Sequence, residues 1–193
     1  QERWKRSEAS CSIESSSATP IMRCGHRLRF EPENNPDGVV DAYRRVEGTR
    51  PLVMVGGAPY ARGLTRKVAE LADDRVLLPG PIYGEGYRQL LFNCRVYIHA
   101  TEVGGTHPAL VEAMGAGRPV LYYDTPENRE VAGGVGSSFG FGGVNVLEDV
   151  IARVIDDEEQ LIEMGRLSKR RVEERYRWAD VADRYEKVLE ELC

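Results

Sequence analysis

The amino-acid sequence predicts an α/β protein built on a doubly wound parallel sheet. Short apolar runs rich in strand-forming residues alternate with longer segments whose apolar residues recur at helical spacing. Glycine-containing turns follow several of these runs, and right-handed crossovers through helices make successive strands parallel. In such a sheet we expect the ligand beyond the carboxyl ends of the strands, where the first and fourth unit loops meet.

The N-terminal segment differs from the rest of the chain. The stretch SEASCSIESSSATP is rich in serine and shows neither the helical nor the strand period. We therefore expect residues 1–26 to be irregular or disordered and residues 27–193 to form the folded domain. A strand is predicted over residues 21–30, although charged residues and Gly25 interrupt its apolar pattern.

Regular patterning begins at Pro32. The predicted elements are then a helix over 36–48, a strand over 52–55, a helix from about 60, a strand over 76–78 stopped by Pro79, and a helix over 86–94. After residue 124 the sequence predicts a short helix at 128–131, a glycine-rich passage with a short strand at 138–141, and helices over 147–154, 161–172 and 181–192.

A strand–turn–helix–strand unit lies at the centre of the chain. Residues 96–98 and 119–123 are short apolar runs typical of buried strands. Between them, Gly104 and Gly105 allow a sharp turn and a close approach of the backbone to a ligand.

The helix between these two strands has a recognisable start and end. Thr106 is a suitable cap, Pro108 suits the first turn and Gly117 suits the end. The unbonded N–H groups and the positive dipole end near Thr106 predict an anion site at the carboxyl edge of the sheet. Glu112 follows two apolar residues inside this helix, where a carboxylate would be unusual on a core face.

Two histidines flank this turn. His99 follows the central strand and is either a polar ligand contact or a satisfied core histidine. His107 stands at the helix start, where it either caps the helix or contacts a phosphate.

Two other places offer suitable groups at the carboxyl ends of strands. Arg29 either clamps a diphosphate through two hydrogen bonds or is a surface arginine at a frayed strand end. Gly56 and Gly57 either approach a ligand or only end a strand.

Composition and motifs exclude several classes of function. The net charge of −5 gives no basic field for nucleic acid, and no apolar run approaches the ~18 residues of a membrane span. The four cysteines show neither metal-ligand spacing nor a disulfide framework, so we expect a cytoplasmic protein and no metal site. The motifs of dinucleotide-binding and P-loop proteins do not occur.

The central passage YIHATEVGGTHPALVEAMGAGRPVL resembles the nucleotide-sugar-binding signature of the group 1 (family 4) glycosyltransferases. It is most similar to the bacterial rhamnosyltransferase-like branch, which has Y-I-H-G-H-x-V-G-G-T-N-P-S-L-L-E-A-M. The segments RFEPENN and DTPENREVAG resemble that branch's G-R-x-x-P-E-N-N and D-N-P-x-N-R-E-V-L-G, and YRW before the last helix resembles its closing element. The likeness covers about residues 28 to 192.

The resemblance implies the carboxyl-terminal, donor-binding half of a GT-B enzyme, in which two Rossmann-like halves close over a cleft. Glu112 then matches the glutamate that holds the ribose hydroxyls, and Arg29 matches the arginine on the diphosphate. Gly105 and Thr106 match the turn whose N–H groups face the diphosphate, and Ile82 falls where the backbone contacts the base.

Gly104 and His107 belong to the same turn and complete the expected substrate-binding residues. Both depart from the family's patterns, since Gly104 stands where the first of two glutamates usually lies and His107 where the branch usually has asparagine. Glu102 is the nearest acid and therefore the candidate catalytic residue. Leu28 replaces the glycine before the diphosphate arginine, and the usual phosphate lysine is absent.

The implied function is donor binding in a retaining, metal-independent glycosyltransferase of polysaccharide biosynthesis. Such an enzyme transfers a hexose or deoxyhexose from a UDP- or dTDP-linked donor to a glycan or lipid-linked acceptor, without a cofactor. The acceptor-binding half is missing from this chain, so we expect the isolated half to be inactive. Any contact with the inner membrane would be peripheral and made through that half. The alternative is a stand-alone nucleotide-sugar-binding domain without transferase activity; an epimerase half of the same fold lacks motif support.

Overall fold

The computed structural model describes residues 21–28 and 30–192. Residues 1–20, 29 and 193 lie outside the described part, so the expected irregularity of the N-terminal segment concerns mostly residues that are not described. Of residues 21–28, 184 and 192, the backbone alone is described.

The described residues contain one six-stranded sheet with the strand order β3-β2-β1-β4-β5-β6. Every neighbouring pair is parallel, as the sequence predicts. The strands are Ile21–Leu28 (β1), Leu52–Gly56 (β2), Val76–Gly80 (β3), Cys94–His99 (β4), Val120–Tyr123 (β5) and Ser137–Phe139 (β6).

Helices connect the strands and complete the C-terminal part of the chain. They are Pro36–Arg45 (α1), Arg62–Leu71 (α2), Gly84–Phe92 (α3), Pro108–Gly115 (α4), Pro126–Ala132 (α5), Leu147–Val154 (α6), Glu158–Arg175 (α7) and Trp178–Leu192 (α8). A 3-10 turn at Pro32–Asn34 precedes α1.

Two hydrophobic clusters cover the two faces of the sheet. Because side chains alternate along a strand, Val96 and Ile98 of β4 enter one cluster and Tyr97 enters the other. The first cluster takes in residues of α1, α2 and α6, and the second takes in residues of α3, α4 and α5. The sheet is therefore covered on both faces, as a doubly wound fold requires.

Two elements differ from the sequence-based expectation. β1 begins at Ile21 and so crosses the expected domain boundary between residues 26 and 27; the division into two parts otherwise stays a prediction. β3 continues through Pro79 to Gly80 instead of ending before the proline. β3 lies at the edge of the sheet, where a residue without an N–H donor is tolerated.

Candidate functional site

The strand order reverses between β1 and β4, and the loops after these two strands meet at the carboxyl edge of the sheet. The backbone N–H of Glu102 donates to the carbonyl of Glu33 at 2.8 Å. The hydroxyl of Thr101 donates to Oδ1 of Asn34 at 2.9 Å, and this pair is buried. Hydrogen bonds therefore join the two loops at the edge where the sequence predicts the ligand.

Asn35 adds a second tie between the same two loops. Its backbone is left-handed, with φ 48°, at the point where the chain enters α1. From there its Nδ2 donates to the carbonyl of Ala100 and to Oε1 of Glu102, each at 3.0 Å. Asparagine suits this place because it tolerates a left-handed backbone and carries a short donor.

Asn128 of α5 ties the loop after β5 to the loop after β4. It is fully buried, and its Nδ2 donates to the carbonyls of Thr101 at 3.0 Å and Tyr123 at 2.9 Å. Asn34, Asn35 and Asn128 lie in the segments that carry the family resemblance, but their bonds between the loops were not predicted from the sequence.

The turn between β4 and α4 presents Gly104, Gly105 and Thr106 to solvent. The predicted helix cap was wrong, because the N-cap is His107 rather than Thr106. Pro108 takes the first helical position and keeps the residue before it extended, which places the cap one residue later than expected. Gly117, with φ 69°, follows the helix end as predicted.

His107 is buried at the start of α4, with 8% of its surface exposed. Its ring lies 4.8 Å from the ring of His99, at an interplanar angle of 56°. Burial lowers the pKa of His107, and the opposing effect of Glu127 is smaller. Burial thus favours the neutral imidazole. No side-chain hydrogen bond caps the helix.

Glu112 lies in α4 and is exposed. The hydroxyl of Tyr87, a buried residue of α3, donates to Oε2 of Glu112 at 3.1 Å. The helical pattern over residues 86–94 did not predict this contact of Tyr87. Glu112 is thus a carboxylate oriented by a neighbour and still reached by solvent.

Ile82 lies in the loop between β3 and α3 and packs against the cluster that contains Tyr87. Because Tyr87 contacts Glu112, the structure brings Ile82 and Glu112 to the same side of the sheet. Arg29 lies outside the described residues.

Glu102 is exposed beside the β4–α4 turn. The pKa of Tyr123 is raised by burial and by the neighbouring carboxylate of Glu102. The bond from Asn35 holds the Glu102 side chain at this edge of the sheet.

In the part of the chain that the structure describes, no three His, Cys, Asp or Glu side chains are grouped so that they could hold a metal ion. Across the same residues, no helix is both long and apolar enough to cross a membrane.

The fold and this edge define a doubly wound α/β domain with an open helix start at its topological switch point. The family model of the group 1 glycosyl transferases matches residues 21–157, which is more than half of the chain. The chain belongs to that family. None of the curated proteins matches it.

Solved structures of glycosyltransferases share the fold. HepE (Alr3699) from Anabaena, in complex with UDP and glucose, is 20% identical with a TM-score of 0.76, and the match covers 89% of this chain and 48% of HepE. Sucrose-phosphate synthase from Thermosynechococcus elongatus is 21% identical with a TM-score of 0.77, covering 90% and 45%. A glycosyltransferase from Rickettsia africae is 14% identical with a TM-score of 0.78, covering 91% and 48%.

This chain therefore spans about half the length of these structures. The fold is one Rossmann-like half of the GT-B architecture, as the sequence predicts.

Proposed function

We propose that this chain is the donor-binding, carboxyl-terminal half of a retaining glycosyltransferase. The observation that carries the proposal is Glu112, an exposed carboxylate oriented by Tyr87 beside an uncapped helix start at the switch point. A nucleoside diphosphate offers what this edge lacks, since its ribose carries two donors for a carboxylate and its phosphates carry acceptors for N–H groups.

Each predicted residue takes a defined role in this proposal. The N–H groups of Gly105 and Thr106 face the diphosphate, with Gly104 and His107 shaping their turn, and Glu112 accepts from the ribose hydroxyls. The backbone at Ile82 contacts the base. The role of Arg29 on the diphosphate rests on the family resemblance.

Glu102 is the proposed catalytic residue. Its carboxylate accepts from Asn35 at the switch point, which supports a defined position beside the transferred sugar. The proposed donor is UDP- or dTDP-linked, and a dTDP-deoxysugar such as dTDP-rhamnose follows from the branch resemblance. The structure of HepE with UDP and glucose supports a nucleotide-sugar donor. The proposed acceptor is a glycan or a lipid-linked glycan.

The other half of the enzyme supplies the acceptor site and excludes water from the cleft. Its absence here is supported by the greater length of the solved relatives. It is also supported by the large apolar residues of α8 that stay exposed, namely Trp178, Tyr185, Val188 and Leu189. The isolated chain then binds donor weakly and turns it over negligibly, in the cytoplasm and without a metal ion.

The proposal is tested by calorimetric titration of the chain and of Glu112→Gln with UDP and dTDP. Glutamine keeps the shape of the side chain but replaces one acceptor oxygen with a donor. Hydrogen bonds to a charged group contribute about 1.5–3 kcal/mol, so we expect the nucleotide affinity to fall roughly 10- to 100-fold with little change in the melting midpoint.

Tyr87→Phe is the matched control, because it removes the hydroxyl that contacts Glu112 and keeps the buried ring. If Glu112 served only to satisfy Tyr87, both variants would lower the melting midpoint alike and leave nucleotide affinity unchanged. That outcome would refute the ribose role.

Adding the acceptor-binding half to this chain distinguishes the proposed enzyme from the alternative, a stand-alone nucleotide-sugar-binding domain. Sugar transfer by the reassembled pair supports the enzyme, and donor binding without transfer supports the alternative. Robust transfer by the isolated chain, or loss of binding in EDTA, would contradict the proposal as stated.

A further inference from the structure

Position 104 is restricted to glycine for two independent reasons. Its φ of 141° lies in a region that residues with a side chain rarely adopt. A Cβ atom built there would also lie 2.7 Å from Cε1 and 3.4 Å from Nε2 of His107. The imidazole of His107 thus occupies the space that any other residue at position 104 would need.

His107 is itself fixed by its surroundings. Its Nε2 is buried without a hydrogen-bond partner among the described residues, and its ring packs against His99. Its carbonyl accepts from the N–H groups of Leu110 at 3.1 Å and Val111 at 3.2 Å, which ties its backbone to α4. The ring is therefore fixed relative to the start of α4 and in turn limits where the backbone of Gly104 can lie.

The turn has few other constraints. The backbones of Gly104, Gly105 and Thr106 make no hydrogen bond to another described residue, and all three residues are exposed. Neighbouring Gly105 has an ordinary φ, and a Cβ there would meet no atom within 4 Å. Of the two glycines of the turn, only Gly104 therefore lies against the ring of His107.

We propose that His107 is a positioning residue of the diphosphate site, whose buried imidazole sets the turn at Gly104 and so aims the N–H groups of Gly105 and Thr106 at an oxyanion. This inference rests on the proposed donor binding. It makes positions 104 and 107 interdependent, because a side chain at 104 fits only when the one at 107 is smaller.

A double-mutant cycle over Gly104→Ala and His107→Ala tests this, with the affinities for UDP and for uridine measured on each variant. Gly104→Ala should lower UDP affinity about tenfold. Part of that loss, a coupling of about fivefold, should disappear in the His107→Ala background, as is typical of residues in contact. Uridine affinity should change less than twofold throughout, because uridine carries no phosphate for the turn to bind.

Gly105→Ala is the matched control for folding, since its methyl group enters open space. Its effect on the melting midpoint should be small and should add to that of His107→Ala, whereas Gly104→Ala should not be additive with His107→Ala.

Two results would overturn the inference while leaving donor binding intact. These are additive losses of UDP affinity in the cycle, or uridine affinity that falls in parallel with UDP affinity. If the wild-type chain binds no UDP, the proposed function itself fails, and with it the positioning role.

Discussion

The amino and carboxyl edges of the sheet differ in whether side chains bond to the unpaired backbone groups at the helix ends. Helices end at the amino edge, where their last carbonyl groups are left without intrahelical partners, and begin at the carboxyl edge, where their first N–H groups are left over. In the described residues the amino edge supplies side-chain donors to these groups, while helix starts near the switch point receive no side-chain acceptor.

Arginines near the starts of strands supply those donors at the amino edge. Arg75 donates to the carbonyls of Arg44 and Val46 at the end of α1, Arg95 to that of Ile155 at the end of α6, and Arg118 to that of Phe92 at the end of α3. A guanidinium suits this task because it carries several donors and favours the negative end of a helix dipole. These arginines therefore hydrogen-bond to the backbone of the fold.

At the carboxyl edge the helix starts differ. The N-caps of α1, α2, α3, α4 and α6 make no side-chain cap hydrogen bond. The N-cap of α5 is Thr125, whose hydroxyl accepts from the N–H of Asn128. A cap contributes about 1 kcal/mol, so the open starts forgo stability at the place where we propose an anionic ligand binds.

The largest effect on stability is expected at the amino edge. Arg75→Ala removes bonds to three backbone carbonyls, the contact with Asp73 and the stacking on Tyr43. We expect the free energy of unfolding to fall by about 2–3 kcal/mol, with UDP affinity unchanged, in denaturant titration and calorimetry.

Arg66→Ala serves as the control for this substitution, because Arg66 is exposed on α2. It should change stability by less than about 0.5 kcal/mol. Equal effects of the two substitutions would show that the amino-edge arginines do not stabilise the helix ends.

A smaller effect is expected when two threonines of the carboxyl edge are compared. Thr125→Ala should cost about 1 kcal/mol because it removes the cap of α5, and Thr125→Ser should retain most of it. Thr106→Ala should cost much less, since Thr106 is exposed and does not cap α4. Thermal unfolding of the three variants checks this; an equal loss for Thr106→Ala would restore Thr106 as a structural cap.

Much of the carboxyl edge could be predicted from sequence because its signals are local. A β-forming run, a glycine pair, a proline and an apolar helix together specified the unit that holds Gly104 and Glu112. The extension of β3 through Pro79 could not be predicted, since it depends on that strand lying at the sheet edge, which only the strand order reveals.

Contacts between segments that are distant in the sequence could not be predicted either. The bond from Tyr87 to Glu112 joins two helices, and a helical pattern cannot tell which buried tyrosine meets a polar group. The contact of Gly104 with His107 depends on a backbone angle that residue types leave open. These are the features that turn a recognisable motif into a specific binding geometry.

The central claim is that the open helix start at the switch point binds the diphosphate of a donor. It is tested most directly by titrating ¹⁵N-labelled chain with UDP and, separately, with uridine, while following the amide resonances. We predict that the amides of Gly105 and Thr106 shift with UDP and stay nearly unchanged with uridine, while those of Arg95 and Arg118 at the amino edge respond to neither. UDP binding that shifts the amino-edge amides and leaves Gly105 and Thr106 unmoved would contradict the account.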